Sequence, residues 1–265
     1  MNFDGTLAAS SSSFLRRRPL TIHNVHPVRF CFTGPTAASL LAFDEILNGP
    51  FQSYLDLSKR IGSEVATIGE MVEIAFKSQR NYLELATKAK QPPQGDLPML
   101  LKPMSDKISE IQSFREAGRR CQYFNHLSAI SESIPGKSKT SMMSLLNITQ
   151  SKVENHTNFF FPALGWVTVS PAPGPFVKEM NDAGMFYTNR VLKDWKDKSK
   201  SHVDWTKAWI QTLTEIQKFV KEHHTTGLVW NAKGVDAKSI VNTGKLSDNI
   251  RIIRKYTEKN DIYVR

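Results

Sequence analysis

Two neighbouring stretches in the second half of the chain carry apolar residues at helical spacing. The first runs from Val177 to Trp195 and the second from Val203 to Val220. Residues three or four apart lie on one face of a helix, so each stretch predicts a helix with one buried side. We expect an antiparallel pair joined by a hinge at residues 198–201. The predicted inward positions are Val177, Met180, Gly184, Tyr187, Val191 and Trp195, then Val203, Thr206, Trp209, Leu213, Ile216 and Val220.

Proline and glycine mark the predicted ends of this helix pair. Pro171, Pro173, Gly174 and Pro175 precede the first stretch, and proline suits the first turn of a helix but not its interior. Gly227 follows the second stretch and is the expected end of that helix. The charged positions left for water are Lys193, Asp194, Lys196, Lys207, Lys218 and Lys221.

Earlier parts of the chain predict further helices. The Gly49-Pro50 pair should separate a helix over 36–48 from one over 51–61. Ser63 is a candidate N-cap for a long third helix, because its hydroxyl could accept a hydrogen bond from a backbone N–H. The apolar stripe of this third helix is Val65, Ile68, Val72, Ala75, Gln79, Leu83 and Ala86.

The fourth and fifth predicted helices cover residues 97–116 and 124–134. We expect a break in the fourth at Lys102-Pro103, because proline removes a backbone donor and restricts the residue before it. Strand-like alternation is confined to the short stretch 166–169. The pattern therefore predicts an all-α fold, an antiparallel bundle of about six helices.

The net charge of +10 lies mostly outside the predicted bundle. Residues 231–265 hold eight basic and four acidic side chains, and residues 1–35 hold four arginines and one aspartate. The predicted helices are nearly neutral and lack a basic stripe with interleaved aromatic residues, which a nucleic-acid binder would need. No apolar run reaches the 18 residues of a membrane span. We therefore expect neither nucleic-acid binding nor a membrane span.

Several short sequence segments resemble the amino-terminal helical domain of the adenylyl cyclase-associated proteins. They are AFDEILNGP, LLKPMSDKISEIQSFRE, FNHLSAISESIP, PGPFVKEMNDAGMFYTNRVLKDWKD, HVDWTKAW and KEHHTTGLVW, in that order. The resemblance covers about 42–134 and 163–230. It implies a helical bundle domain at 36–230, in a truncated or misspliced form of the family's longer chain.

Three segments depart from the resemblance. Residues 1–35 have the Ser, Arg and Pro composition of a disordered segment, and residues 231–265 predict a disordered tail outside the family. Residues 136–162 interrupt the family pattern as an inserted loop. Two origins remain open for this insert, a retained intron that stays in frame and a lineage-specific surface loop. Helical bundles tolerate such loops at small entropic cost.

The sequence contains no motif of a catalytic or cofactor site. Phosphate loops, nucleotide-binding glycine patterns and nucleophile elbows are absent. His223 and His224 are adjacent, so they point to different parts of a helix surface and cannot chelate a metal together; we expect a solvated helix end there. Cys31 and Cys121 are too few for a disulfide framework. We expect no enzyme activity, no cofactor and no metal.

The resemblance implies a non-catalytic, cytoplasmic role in the actin cytoskeleton. Family members bind actin filament ends decorated with cofilin and promote depolymerisation and severing. A signalling scaffold that binds adenylyl cyclase is the alternative, and a weak homodimer is a further expectation. Because an acidic partner would attract exposed cations, polar surface residues near helix ends are the candidate contacts. The candidate actin- and cofilin-binding residues are Lys102, Pro103, Arg115, Arg119, Arg120, Lys178, Asn181 and Arg190.

Overall fold

Helices account for the regular structure of residues 35–134 and 163–243, which are the residues that the computed structural model describes. The expected all-α bundle is confirmed. A 3₁₀ turn at Ala163–Thr168 occupies the stretch that had strand-like alternation. The helices are α1 Pro35–Ile46, α2 Gln52–Ile61, α3 Ser63–Lys88, α4 Leu97–Ala117, α5 Phe124–Ser133, α6 Pro173–Trp195, α7 Lys200–His223 and α8 Ala237–Thr243.

The core centres on α7, which packs against α1, α2 and α6. Tyr54 of α2 lies with its ring centroid 4.8 Å from that of Trp209. The indole N–H groups of Trp205 and Trp209 donate hydrogen bonds to the hydroxyls of Ser58 and Ser133, at 2.8 and 3.0 Å. These two serines give the buried indole N–H groups hydrogen-bond partners, which offsets the cost of taking them out of water.

The predicted apolar stripes largely match the buried faces. All seven stripe positions of α3 are buried. On α7 the stripe is also buried except for Val203, which is half-buried, while the unpredicted Trp205 is fully buried. At Gly184 of α6 an added Cβ would lie 2.5 Å from the Cβ of Ser133, so α5 and α6 approach closely only because this residue is glycine.

Helix α4 continues through Pro103, contrary to the break expected there. Proline at this position removes only the hydrogen bond from its own nitrogen towards the carbonyl of Met99, in the second turn of the helix. Leu101 and Met104 on either side are buried, so tertiary contacts hold the helix together across this gap. The predicted end of α4 at Gly118 is confirmed.

The two predicted boundaries around α2 have different outcomes. The predicted separation at Gly49-Pro50 is confirmed as a kink in the connection Leu47–Phe51, where Gly49 has a non-helical backbone with a φ of −102° and a ψ of −106°. Ser63 makes no side-chain N-cap bond; its hydroxyl donates to Glu64 instead, and Gly62 occupies the cap position with a φ of 78°. Glycine suits that left-handed conformation, which costs other residues strain.

The turn between α6 and α7 lies at residues 196–199, and α7 ends at His223, before the expected stop at Gly227. Gly227 has a φ of 121° and donates its backbone N–H to the carbonyl of His224 at 3.0 Å. It therefore belongs to the turn that follows the helix.

Residues 231–243 fold onto the end of α3, although a disordered tail was expected from 231 onward. The backbone N–H of Asn231 donates to the carbonyls of Ala86 and Ala89, both at 3.1 Å, and the Asn231 side chain donates to the carbonyl of Thr87. Ile240 and Ala237 of α8 pack with Leu85 of α3 and with Ala89 directly after it in a small separate apolar cluster. The segment thus supplies partners for the terminal carbonyls of α3.

The remaining predicted segments lie outside the described residues. They are the disordered segment at 1–35, of which only Pro35 is described, the insert at 136–162 and the tail from 244 onward. Pro35 is the first residue of α1. No helix in the described part of the chain is long and apolar enough to cross a membrane.

Candidate functional site

Lys102 lies on the exposed side of α4 in its second turn. Its ammonium group is paired with the carboxylate of Asp106 at 2.8 Å, and both side chains are largely in water. Pro103 next to it is half-buried. An exposed ion pair of this kind contributes little to stability, so Lys102 can exchange Asp106 for an acidic group on a partner at small cost.

Arg115 points inward at the other end of α4, contrary to its predicted place on an outward surface. Its side chain is 17% exposed and pairs with Glu132 of α5 at 3.0 Å; the Glu132 side chain is 5% exposed. The guanidinium also donates to the hydroxyl of Ser128 at 3.2 Å and lies over the ring of Phe124. Arg115 therefore has a structural role, because it neutralises a buried carboxylate.

Arg119 and Arg120 lie in the 3₁₀ turn Gly118–Arg120 that follows α4, and both are exposed. Arg119 is paired with Glu116 on the last turn of the helix. The cationic side chains at this end of α4 therefore divide into Arg115, which faces α5, and Arg119 and Arg120, which face water.

The second group of candidates lies on α6. Lys178 is exposed and paired with Asp182 at 2.7 Å, and Asn181 is half-buried. The Arg190 guanidinium lies 4.4 Å from the ring centroid of Phe186, an aromatic side chain that is 56% exposed. A cation over an exposed aromatic ring combines charge with apolar area, as is common where proteins bind one another.

The two groups are carried by two helices that both pack against α5. Lys102 and Arg115 are not neighbours, because thirteen residues along one helix correspond to about 20 Å. At about 100° per residue they also point to different sides of α4. The structure therefore separates the candidates into Lys102 with Pro103, the turn at Arg119 and Arg120, and the α6 group.

Sequence reasoning missed a buried pair of histidines on α5 and α7. His126 Nε2 and His202 Nδ1 are 2.8 Å apart, and the His202 ring stacks on Trp195 with centroids 3.7 Å apart. Burial, with a smaller contribution from His202, lowers the pKa of His126 to about 3. Both rings are therefore neutral at pH 7, and one donates its proton to the other. Their separation of 76 positions in the sequence left no local signal.

His224 is buried against Trp166 and Phe219, contrary to the expected solvated helix end. Burial, with a contribution from His223, lowers the pKa of His224 to about 4. Residues 35–134 and 163–243 contain no group of three histidine, cysteine, aspartate or glutamate side chains that could hold a metal ion.

The family model described as "CAP, N-terminal domain" matches residues 43–138 and 146–228. The gap between these ranges falls inside the expected insert, and the second range ends just before the segment that folds onto α3. All the candidate surface residues lie within the matched ranges.

Curated relatives match over three quarters or more of the chain. The chain is 44% identical over 213 residues to adenylyl cyclase-associated protein 2 of Homo sapiens, covering 78% of this chain and 39% of that protein. It is 46% identical over 199 residues to adenylyl cyclase-associated protein 1 of Homo sapiens, covering 75% and 36%. The chain therefore spans about two-fifths of the length of these relatives.

Two solved structures have the same fold. A crystal structure of the N-terminal domain of CAP, described as indicating variable oligomerisation, gives a TM-score of 0.65 at 34% identity over 78% of this chain and 97% of that one. The N-terminal domain of the adenylyl cyclase-associated protein from Dictyostelium discoideum gives 0.63 at 33% identity, over 75% and 98%. The chain belongs to the adenylyl cyclase-associated protein family, within the part covered by the CAP N-terminal domain.

Proposed function

We propose that this chain binds actin and promotes cofilin-dependent filament depolymerisation and severing, without catalysing a reaction. The observation that carries the proposal is the set of exposed cations on α4, on the turn that follows it and on α6, within a domain of this family. Lys102, Arg120, Lys178 and Arg190 are all exposed. An acidic partner would attract such side chains and speed association.

Rigid helices hold these cations in place. Lys102 lies between the buried residues Leu101 and Met104, and Lys178 follows the buried Val177. A partner that binds such positions orders few backbone residues, so little conformational entropy opposes association. Phe186 beneath Arg190 adds apolar area to the charge.

The proposal is tested by measuring depolymerisation of labelled filaments with cofilin, with the chain and with both. We expect the combination to depolymerise filaments faster than the sum of the two separate effects. A rate no higher than that of cofilin alone would contradict the proposal.

The second candidate is a scaffold that binds adenylyl cyclase, which the names of the relatives favour. A capture assay with purified adenylyl cyclase tests this candidate, since the scaffold predicts capture of the enzyme by the chain in the absence of actin. The weak homodimer stays a prediction, which sedimentation of the chain over a range of concentrations would test.

A further inference from the structure

Helix α6 carries a stripe of exposed side chains, which we call the α6 stripe. Its members recur at every fourth position, and all of them are exposed. They are Lys178, Asp182, Phe186, Arg190 and Asp194. Residues four apart form a continuous ridge on a helix, and two helices pack by fitting such ridges together. The α6 stripe is therefore shaped to receive another helix.

The centre of the α6 stripe is apolar. Phe186 is 56% exposed and the adjacent Met185 is 37% exposed. Every other Phe, Tyr and Trp side chain that the structure describes is buried or half-buried. The Arg190 guanidinium lies over the Phe186 ring, 4.4 Å from its centroid. Aromatic residues, methionine and arginine are enriched where proteins bind one another, so this centre has the composition of an interface.

The charges on either side of Phe186 make the α6 stripe complementary to itself. A cation and then an anion precede the ring, and a cation and then an anion follow it. In two antiparallel copies that cross at Phe186, residues at equal distances before and after the ring oppose one another. Asp182 then faces the partner's Arg190, and Lys178 faces the partner's Asp194. By symmetry each of these contacts occurs twice.

Other arrangements of two such helices oppose like charges. A parallel pair in the same register places Asp182 against the partner's Asp182 and Arg190 against the partner's Arg190. An antiparallel pair shifted by one turn places either Lys178 against the partner's Arg190 or Asp182 against the partner's Asp194. Opposed like charges in an interface are unfavourable. The charge pattern therefore selects one orientation and one register.

We propose that two copies of this chain pair antiparallel through the α6 stripe, about a two-fold axis at Phe186. Ridges of four-residue spacing align when the helices cross at about −50°. Lys178 and Asp182 now pair within one chain at 2.7 Å, and both are largely in water, so exchanging partners costs little. A single helix crossing falls in the size class below about 1,200 Å², which is typical of weak complexes. The dimer should therefore form only at high concentration.

The pairing does not depend on the proposed actin function. It follows from the order of charges along α6, whereas the actin proposal also uses cations on α4 and on the turn that follows it. Lys178 and Arg190 belong to both surfaces. Because self-association is measured without actin or cofilin, its failure would leave the actin proposal standing, and the reverse also holds.

Sedimentation equilibrium of the whole chain at low salt, from about 5 to 500 µM, tests the pairing. Asp182→Arg and Arg190→Asp each place like charges face to face at two symmetric contacts. We expect each variant to self-associate at least about tenfold more weakly than the parent. An equimolar mixture of the two variants restores opposite charges at both contacts, so it should dimerise about as well as the parent. Lys207→Glu on α7 is the control and should associate like the parent.

Circular dichroism checks that the variants fold, which we expect because both substituted side chains are exposed. Three results would each overturn the proposal. The parent could remain monomeric throughout the concentration range, which would assign the α6 stripe to a different kind of partner. Either single variant could dimerise as well as the parent, which would place the dimer contact elsewhere. The mixture could associate no better than the separate variants, which would exclude the antiparallel register.

Discussion

Single residues of α7 differ sharply in what they contribute to the fold. Trp209 is fully buried, with its ring near Tyr54 and its N–H on Ser133, whereas Lys207 is exposed. We expect Trp209→Ala to lower the free energy of unfolding by about 3–5 kcal/mol through lost burial and the cavity left behind. Lys207→Ala should change it by less than about 0.5 kcal/mol. Urea unfolding measures both, and equal effects would show that the assigned buried face is wrong.

Arg115 and Lys102 offer a second contrast at the residue scale. Arg115→Met removes the ion pair with the buried Glu132 and the bond to Ser128, so we expect a loss of about 1–3 kcal/mol. Lys102→Met breaks only an exposed pair with Asp106 and should cost less than about 1 kcal/mol. Thermal unfolding of the two variants in parallel is the measurement. A stable Arg115→Met chain would mean that the inward ion pair contributes nothing to the fold.

The different outcomes for these residues show what local sequence can predict. The α3 stripe was predictable because its apolar residues recur every three or four positions, which can be seen in the local sequence alone. Trp205 was missed because α7 is buried over a wider arc, against α1, α2 and α6, than the single stripe through Trp209 implied. The orientation of Arg115 depends on Glu132, which lies in another helix, so no local pattern could reveal it.

At the scale of elements, α4 and α8 depart most from expectation. Proline propensity predicted a broken α4, but buried neighbours on both sides of Pro103 keep it continuous. The segment carrying α8 lacks strong apolar periodicity, and its order comes from hydrogen bonds to the end of α3. Propensity is a weak guide wherever tertiary contacts compete with it.

The segment 231–243 should therefore stabilise the bundle. A chain that ends at Trp230 loses the Asn231 bonds to the carbonyls of α3 and exposes Leu85 and Ala89. We expect its free energy of unfolding to be about 1–3 kcal/mol lower than that of a chain that ends at Thr243. Denaturant unfolding compares the two, with Lys233→Ala in the longer chain as a neutral control. Identical midpoints would show that the segment is not part of the folded unit.

At the scale of the whole molecule, three buried histidines link the bundle's stability to pH. Burial lowers the pKa of His126 to about 3 and that of His224 to about 4, and it also lowers the pKa of His202. The unfolded chain, with histidine pKa values near 6.5, binds more protons than the native state between about pH 6.5 and 4. Stability is therefore full above about pH 6.5 and falls as the pH decreases through this window.

Unfolding in urea at pH 7.5, 6.5, 5.5 and 4.5 measures this dependence. We expect a loss of up to about 1.4 kcal/mol per pH unit for each buried histidine. His126→Gln removes one titrating ring and should reduce the slope below pH 6.5, even if the variant is less stable at pH 7.5. A parent chain equally stable at pH 7.5 and 4.5 would contradict the neutral burial of these rings.

The central functional claim is that exposed cations on α4, on the turn that follows it and on α6 bind an acidic partner surface during actin turnover. The most direct test is the rate of cofilin-dependent filament shortening with the double variant Lys102→Glu, Arg120→Glu. Lys207→Glu on α7 is the matched control, since it reverses an exposed charge on another helix. Both variants should keep the parent's circular dichroism spectrum and unfolding midpoint.

We expect the double variant to shorten filaments at least about tenfold more slowly than the parent at low salt, because attraction becomes repulsion. The control should match the parent, and added salt should narrow the difference as screening increases. A folded double variant that shortens filaments as fast as the parent would contradict the claim for α4 and leave Lys178 and Arg190 on α6 to be tested in the same way.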